Sequence, residues 1–437
     1  MNEIKTELRS VINKIDNCGY KESLMLLTEN SINYDPWSDF KYIRNKTLLC
    51  NFENKTLILL FYLGIEVSID ELFSFLTKED IDVLDSYDIL NSDKNIVRSK
   101  LCLIPYQQYY IFVDFPSFFP TCINKETPVY LGVDSFFFEN IMPQITNAKV
   151  LDICSGAGLH SIILKKLENN VTAIDISSKA LHAASLNCEI NGVSNIKFIK
   201  NNLLDNIQER FDFIISNPPT QIVPENIEYP VIGNAGKDGL DIISKIILQI
   251  DERLEENGCF FSIVQLMGDE NGPQYAQRLD ELSKINKWTT KLTIHNRMTI
   301  DNQIESMSLV IKTIYNKNID KQKWIEFYKK NNFKYLYNCI IKIQKKKHYK
   351  FTLDYLRKYD EKVRIKIDLD LETYMNNLER FKQGKSYSLD FYQLTKTMDS
   401  KEKVYESLKI EHNNLEYIEF ENWIFHQEEI GIIQLYY

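Results

Sequence analysis

The chain has 437 residues, about three domains' worth at roughly 150 residues each, which excludes a single small module. Its 44% hydrophobic and 26% charged residues, with only 14 Gly and 11 Pro, exclude collagen-like and low-complexity organisation and fit a folded soluble protein. With 52 basic against 61 acidic residues the net charge is −9, so nucleic acid is an admissible but unfavoured partner.

Residues 1–100 read as a mostly helical module. Ile4, Leu8, Val11, Ile12 and Ile15 fall at helical spacing, and Ile69 to Leu76 and Ile81 to Leu84 repeat it. Ile89 to Leu103, with a turn expected at Asn91 to Asp93, reads as a hairpin, so the module is winged-helix-like. Residues 101–135 read as a strand-rich connector, with extended segments at Tyr109 to Val113 and Val129 to Val133 among Pro105, Pro116, Pro120 and Pro128. The aromatic run Phe136-Phe137-Phe138 is expected in a core. From Lys149 to Tyr315 apolar strands alternate with helical patterns, the signature of a mainly parallel sheet covered by helices.

Within that stretch Lys149 to Ile153 is an apolar strand that ends in Cys154-Ser155-Gly156-Ala157-Gly158 and runs into a helix. The glycines allow a sharp bend and close backbone approach to a ligand. Asp152 precedes the turn, Asp175 ends the next strand where a carboxylate can take both hydroxyls of a ribose, and Ser161 replaces the third glycine of a dinucleotide fingerprint. A nucleoside without a pyrophosphate fits, and the candidate cofactor is S-adenosylmethionine. Its amino acid end would lie over Gly156 to Gly158, its ribose on Asp175 beside Ile176, and its adenine near Asn202 and Leu203, after a third strand at Ile196 to Ile199. His160 is expected to be a satisfied helix histidine, and Asp238 a helix cap.

Phe211 to Ser216 is a further apolar strand, stopped by Asn217-Pro218-Pro219-Thr220, since two prolines cannot donate to a sheet. Methylation of nitrogen needs its lone pair aimed at the methyl group, with the N–H groups held away by acceptors. The Asn217 side-chain oxygen and the Pro218 carbonyl can be such acceptors. The candidate catalytic residues are therefore Asn217, Pro218, Pro219 and Thr220. The cofactor-binding candidates are Asp152, Ser155, Gly156, Ala157, Gly158, Asp175, Ile176, Asn202, Leu203 and Asn217.

After Tyr315 the chain is rich in Lys, Tyr and Asn, with Trp324, Phe327, Tyr328, Leu353, Leu371 and Tyr374 spaced as in a third folded unit. Lys317 to Lys350 holds 11 Lys against Asp320 and Glu326, a local charge of +9. Lys345-Lys346-Lys347-His348 reads as a solvated helix face. The eight cysteines show no Cys-x-x-Cys pair, and the six histidines no ligand spacing, so no metal site and no disulfide scaffold are expected. The start of the chain is charged and the longest apolar run, Leu57 to Ile65, is too short to span a membrane, so the cytoplasm is the expected compartment.

Asp152 to Gly158, Asp175 and Asn217 to Thr220 together resemble a class I S-adenosylmethionine-dependent methyltransferase. The nearer likeness is to the branch that includes release-factor glutamine N-methyltransferases and rRNA guanine-N2 methyltransferases, over about 130 to 315. Gly236-Lys237-Asp238-Gly239-Leu240-Asp241 resembles the opening of the helix after the Asn-Pro-Pro loop, and Gly132-Val133-Asp134-Ser135 resembles a segment that closes over the cofactor. The resemblance implies an α/β fold: a Rossmann-like seven-stranded methyltransferase domain at 136–316, whose last two strands form a hairpin around Leu292 to Ile294 and Met307 to Ile314. An N-terminal winged-helix-like module (1–100), a connector (101–135) and an extra C-terminal α+β domain (317–437) complete it. Two departures stand out: Thr220 replaces the usual aromatic residue, and Asn202 the usual Asp. The expected activity is methyl transfer to a nitrogen of a small molecule, peptide or protein side chain. The alternatives are rRNA guanine N-methylation and a non-catalytic binding or scaffold role.

Overall fold

The computed structural model describes residues 6–27, 36–115, 128–223, 233–315, 318–346, 348–355, 364–366, 371, 374–375, 388–396, 401–412, 424 and 434–436. Ile4, Pro116 and Pro120 lie outside these residues.

The N-terminal unit starts with α1 (Thr6–Asn17), α2 (Tyr20–Leu27), α3 (Pro36–Leu49) and α4 (Lys55–Leu57), the last continuing into a π-helical turn at Ile58–Tyr62. Leu8, Val11, Ile12 and Ile15 of α1 are all buried, as their spacing demands. Next come β1 (Val67–Ser68), α5 (Ile69–Leu72) and α6 (Lys78–Ser86), both helices opened by capping boxes on Ser68 and Thr77. β2 (Leu90–Asp93) and β3 (Ile96–Ser99) complete a three-stranded antiparallel sheet in the order β1-β3-β2. Its hairpin turns at Lys94 and Asn95, Lys94 having φ +54°, whereas Asn91 to Asp93, the expected turn, pair within β2. β4 (Cys102–Tyr106) and β5 (Tyr109–Val113) form a second hairpin whose strands are buried along their length. Residues 128–132 are not a strand, and Val133 opens α7 (Val133–Ile141).

The central sheet is built from β6 (Lys149–Ile153), β7 (Asn170–Asp175), β8 (Lys197–Lys200), β9 (Phe211–Ser216), β10 (Leu254–Asp269), β11 (Gly272–Pro273), β12 (Trp288–Thr299), β13 (Tyr335–Lys345) and β14 (Lys350–Tyr355). Its order is β14-β12-β13-β10-β9-β6-β7-β8, with β11 paired to β10. Strands β6 to β10 run parallel; β13 is antiparallel to both β10 and β12. The order reverses at β6, and the carboxyl ends of β6 and β9 beside that reversal are where open α/β sheets bind ligands. Alternation along β9 sends Phe213 and Ile215 into the core shared with the N-terminal unit. Ile214 enters the core on the other face, under α10 (Ile243–Arg253) and α11 (Tyr275–Asn286). Helices α8 (Leu159–Lys166) and α9 (Ser178–Ile190) connect the first strands.

Three expectations are corrected by these elements. Leu292 to Ile294 do lie in β12, but Met307 to Ile314 belong to a helix, α12 (Ile300–Tyr315), because Ile300, Ile304, Met307 and Ile311 repeat at helical spacing and all are buried. The strand that pairs with β12 is β13, reached through α13 (Lys321–Lys330), so the methyltransferase sheet extends past residue 316 to Tyr355. The buried residues of α12 pack on Trp324, Tyr328 and Leu336. Lys345 ends β13, and Lys346 and His348 stand in no helix, so the expected helix face is not there; Lys347 lies outside the described residues. Further on, β15 (Arg364–Lys366) pairs antiparallel with β16 (Gln434–Tyr436), and α14 (Ser388–Thr395) and α15 (Lys401–Glu411) lie between them in sequence. Among the described residues no helix is long and apolar enough to cross a membrane.

Candidate active site

The turn after β6 follows from its glycines. Gly156 (φ +52°) and Gly158 (φ +83°) both take backbone conformations that favour glycine. A Cβ on Gly158 would stand 2.8 Å from the Ala184 Cβ of α9, so this residue allows close helix packing. A Cβ on Gly156 would meet nothing nearer than a backbone oxygen at 4.0 Å, so this glycine leaves open space above the strand ends. Asn187 of α9, fully buried, steadies the turn by donating from Nδ2 to the Ala157 carbonyl at 2.9 Å. It also bonds Phe112 N–H and C=O, tying the connector hairpin to the site.

Two carboxylates flank this turn. Asp152, 1% exposed, accepts the Ser161 hydroxyl on Oδ2 at 2.6 Å, while its Oδ1 is buried without a partner among the described residues. Burial, together with the nearby Asp175 charge, pushes its carboxyl up to about 7, against the pull of Ser161. Asp175 accepts Gly156 N–H on Oδ2 (3.0 Å) and Ser177 N–H on Oδ1 (2.8 Å), and burial raises its carboxyl above the usual range. The Ser155 hydroxyl is also buried and unpartnered among the described residues. Ile176 beside Asp175 is 55% exposed. The adjacent strand end is joined through Asn201 N–H, which donates to Asp175 C=O at 2.9 Å. Asn202 is exposed there, its Nδ2 donating to Asp205, and Leu203 is half-buried against the core.

On the other side, Ser216 closes β9 by donating to the Ile153 carbonyl at 3.0 Å, which brings Asn217 beside the glycine turn. Asn217 Nδ2 donates to Asp134 Oδ2 at 2.9 Å and lies 3.5 Å from the Ser135 hydroxyl; its Oδ1 is buried without a partner among the described residues. Pro218 is buried, and Pro219 and Thr220 are half-buried. The chain after Thr220 is fixed by Gln221 and Val223, whose N–H groups donate to Gly233 and Gly236. In the glycine-rich stretch that follows, Asp238 accepts Leu240 N–H at 3.0 Å in a local turn; it is not the cap of α10, which begins at Ile243. His160 pairs through Nε2 with the Ser135 carbonyl at 3.0 Å and meets Phe138 edge-on, and burial lowers its pKa to about 4, so it is a neutral anchor for α7.

The partners that sequence reasoning missed are Asp134 and Asn187. Asn187 stands in no motif; Asp134 lies in the Gly132-Val133-Asp134-Ser135 segment noted for its resemblance, but its pairing with Asn217, 83 residues away, is made only by the fold. Most of the described lysines between 318 and 350 are divided among α13, β13 and β14, Lys317 and Lys347 lying outside the described residues, and Lys321, Lys334 and Lys345 pair with Glu305, Glu270 and Asp251.

Comparison with known proteins places part of the chain in a family. Residues 133–267 match the family model of the methyltransferase small domain. The chain is 37% identical over 121 residues to the ribosomal protein uL3 glutamine methyltransferase of Francisella tularensis, and 39% over 124 residues to the release factor glutamine methyltransferase of Lactococcus lactis. These matches take in 25% and 26% of this chain and 38% and 46% of the relatives, so the chain spans less than half the length of either. A Methanocaldococcus jannaschii relative, whose name places it among protein N5-glutamine methyltransferases, is 31% identical over 139 residues, or 31% of this chain and 68% of its own length. With the glycine turn, the two carboxylates and the Asn-Pro-Pro loop at neighbouring strand ends, the chain belongs to the class I S-adenosylmethionine-dependent methyltransferases, in the branch of the protein glutamine methyltransferases.

Proposed function

We propose that the protein transfers a methyl group from S-adenosylmethionine to the carboxamide nitrogen of a glutamine side chain in a protein. The carrying observation is the Asn217 amide, whose nitrogen is committed to Asp134 while its buried oxygen has no partner among the described residues. That oxygen can take an N–H of a planar amide and turn the nitrogen lone pair toward the donor, with the Pro218 carbonyl as second acceptor. Positioning of this kind is worth on the order of 7–11 kcal/mol of barrier, so no strong general base is needed.

The residues around the glycine turn fit the cofactor. Gly156 leaves room, the buried orphan oxygens of Asp152 and Ser155 suit its amino acid end, and Asp175 retains lone pairs for ribose hydroxyls. Asn202 and Leu203 would border the adenine beside the exposed Ile176. Bound there, S-adenosylmethionine supplies an electrophilic methyl on a sulfonium. Asp152 lends negative charge to that end, Asn217 orients the acceptor, and the proton displaced from nitrogen leaves to solvent. Thr220 offers no ring for a nucleobase, and the ion pairs of Lys321, Lys334 and Lys345 weaken the case for an RNA grip, which favours a protein substrate.

The N-terminal helices with the β1-β3-β2 sheet support a winged-helix-like module, and residues beyond Tyr355 an accessory unit. Cytoplasmic residence is supported by the free thiols of Cys18, Cys50, Cys102, Cys154, Cys188, Cys259 and Cys339; Cys122 lies outside the described residues. The test is transfer of labelled methyl from S-adenosylmethionine into an extract separated into protein, RNA and small molecules. Label in protein is expected, and label confined to RNA or small molecules contradicts the assignment.

A further inference from the structure

Asn217 is not alone in offering a buried, unpartnered acceptor on this face: the Gln265 Oε1 atom of β10 has no hydrogen-bond partner among the described residues. Its Nε2 donates to Asn338 Oδ1 at 3.0 Å, and Asn338 Nδ2 donates to Asn296 Oδ1 at 2.5 Å. Sheet register pairs Gln265 with Asn338 and Asn338 with Asn296, so the three amides form a row across β10, β13 and β12. Phe261 meets Phe138 of α7 at 5.6 Å, and Gln265, four residues along the same strand, shares its face.

The row can be placed relative to the rest of the site. Asn217, after β9, bonds Asp134 in the first turn of α7, and Phe137, three residues on, meets His295 of β12 at 4.5 Å. β10 and β13 lie between those two strands, so the row crosses the part of the sheet between these contacts of α7, with β10 next to the strand that leads to Asn217. The residues assigned to the cofactor follow β6 and β7, on the opposite side of β9. Asn217 thus stands between a donor side and an acceptor side.

We propose that Gln265 is an acceptor-binding residue: its Oε1 receives an N–H of the polypeptide that carries the methylated carboxamide, while Asn338 and Asn296 hold its amide in that orientation. The inference rests on the protein-glutamine reading above. An amide whose donor end is committed and whose oxygen is buried unpaired gains a bond only when a donor arrives.

The test uses the full chain and, as probe, the protein fraction that takes up label, titrated for acceptor KM and kcat alongside cofactor affinity. Gln265→Met keeps the shape but removes the acceptor atom, and is expected to raise the acceptor KM about tenfold, with kcat within twofold and cofactor affinity unchanged. Gln265→Glu keeps an acceptor oxygen, and the Asn338 and Asn296 amides can turn over so that Asn338 Nδ2 donates to the carboxylate; the variant is expected to stay within threefold of the parent KM, which also decides the matter should the Met variant fail to fold. An unchanged KM in the Met variant, or a tenfold KM rise in the Glu variant, overturns the role of Gln265 and leaves the methyl transfer standing. If the unaltered protein methylates no carboxamide, the underlying reading fails and this subsite with it.

Discussion

The buried Asp152 gives the most quantitative prediction. Its carboxyl, pushed up to about 7 from 3.8 by burial, keeps its proton in the folded protein at pH values where the unfolded chain has lost it. A value raised in the folded state contributes stability that is fully present below the unfolded value and is lost as pH rises through about 7. The gap of about 3 pH units, at about 1.36 kcal/mol each, amounts to about 4 kcal/mol between acid and neutral pH. Denaturant unfolding from pH 4.5 to 8, in parallel with Asp152→Asn, measures it as the difference between the two stability curves. That difference should shrink toward neutral pH in favour of the Asn variant and level off above about pH 7. A cationic donor favours the ionised carboxylate, so its affinity should rise with pH by at most about tenfold per unit and flatten above pH 7. Asp152→Asn should abolish the dependence. Parallel stability curves, or a cofactor affinity indifferent to pH in both proteins, would refute a buried titrating Asp152.

Three further outcomes follow from the geometry. Gly158→Ala should cost about 2 kcal/mol or more in thermal or denaturant stability, since its Cβ meets Ala184 at 2.8 Å, whereas Gly156→Ala should cost about 1 kcal/mol and chiefly weaken cofactor binding, read by calorimetry. Asp134→Ala should lower kcat about tenfold by freeing the Asn217 amide, while Asp134→Asn, which keeps an oxygen for Nδ2, should recover most of the rate. Ile214→Ala should destabilise by about 2–5 kcal/mol without altering cofactor affinity, because the side chain is fully buried on the face of β9 away from the N-terminal unit.

The parts of the site that can be read in sequence are those where one local pattern forces one geometry. The strand from Lys149 to Ile153 running into two glycines, and the strand stopped by Pro218 and Pro219, place Asp152, Gly156 and Asn217 at neighbouring carboxyl ends because parallel strands leave few other arrangements. The last strand pair was less legible. Leu309 to Ile311 is a short apolar run followed by Ile314, which suits a buried strand as well as a helix, and the choice falls to helix only through Ile300 and Ile304 upstream. The true partner, β13, carries Lys342 and Lys345, and its inward residues Tyr337, Cys339, Ile341 and Ile343 reveal it only by strict alternation. The Gly132 to Ser135 segment shows Asp134 but not its partner, and Asn187 and the Gln265 row escape any local reading, because their partners lie tens of residues away and are chosen by packing.

The central claim is most directly tested by single-turnover methyl transfer with Asn217→Ala beside the unaltered chain, the protein product being digested enzymatically and assayed for N5-methylglutamine. The unaltered chain should yield that residue, and the variant should form it roughly 100-fold more slowly or worse while binding S-adenosylmethionine normally. Methylglutamine formed at the full rate by Asn217→Ala, or a methylated residue other than glutamine, would contradict the account.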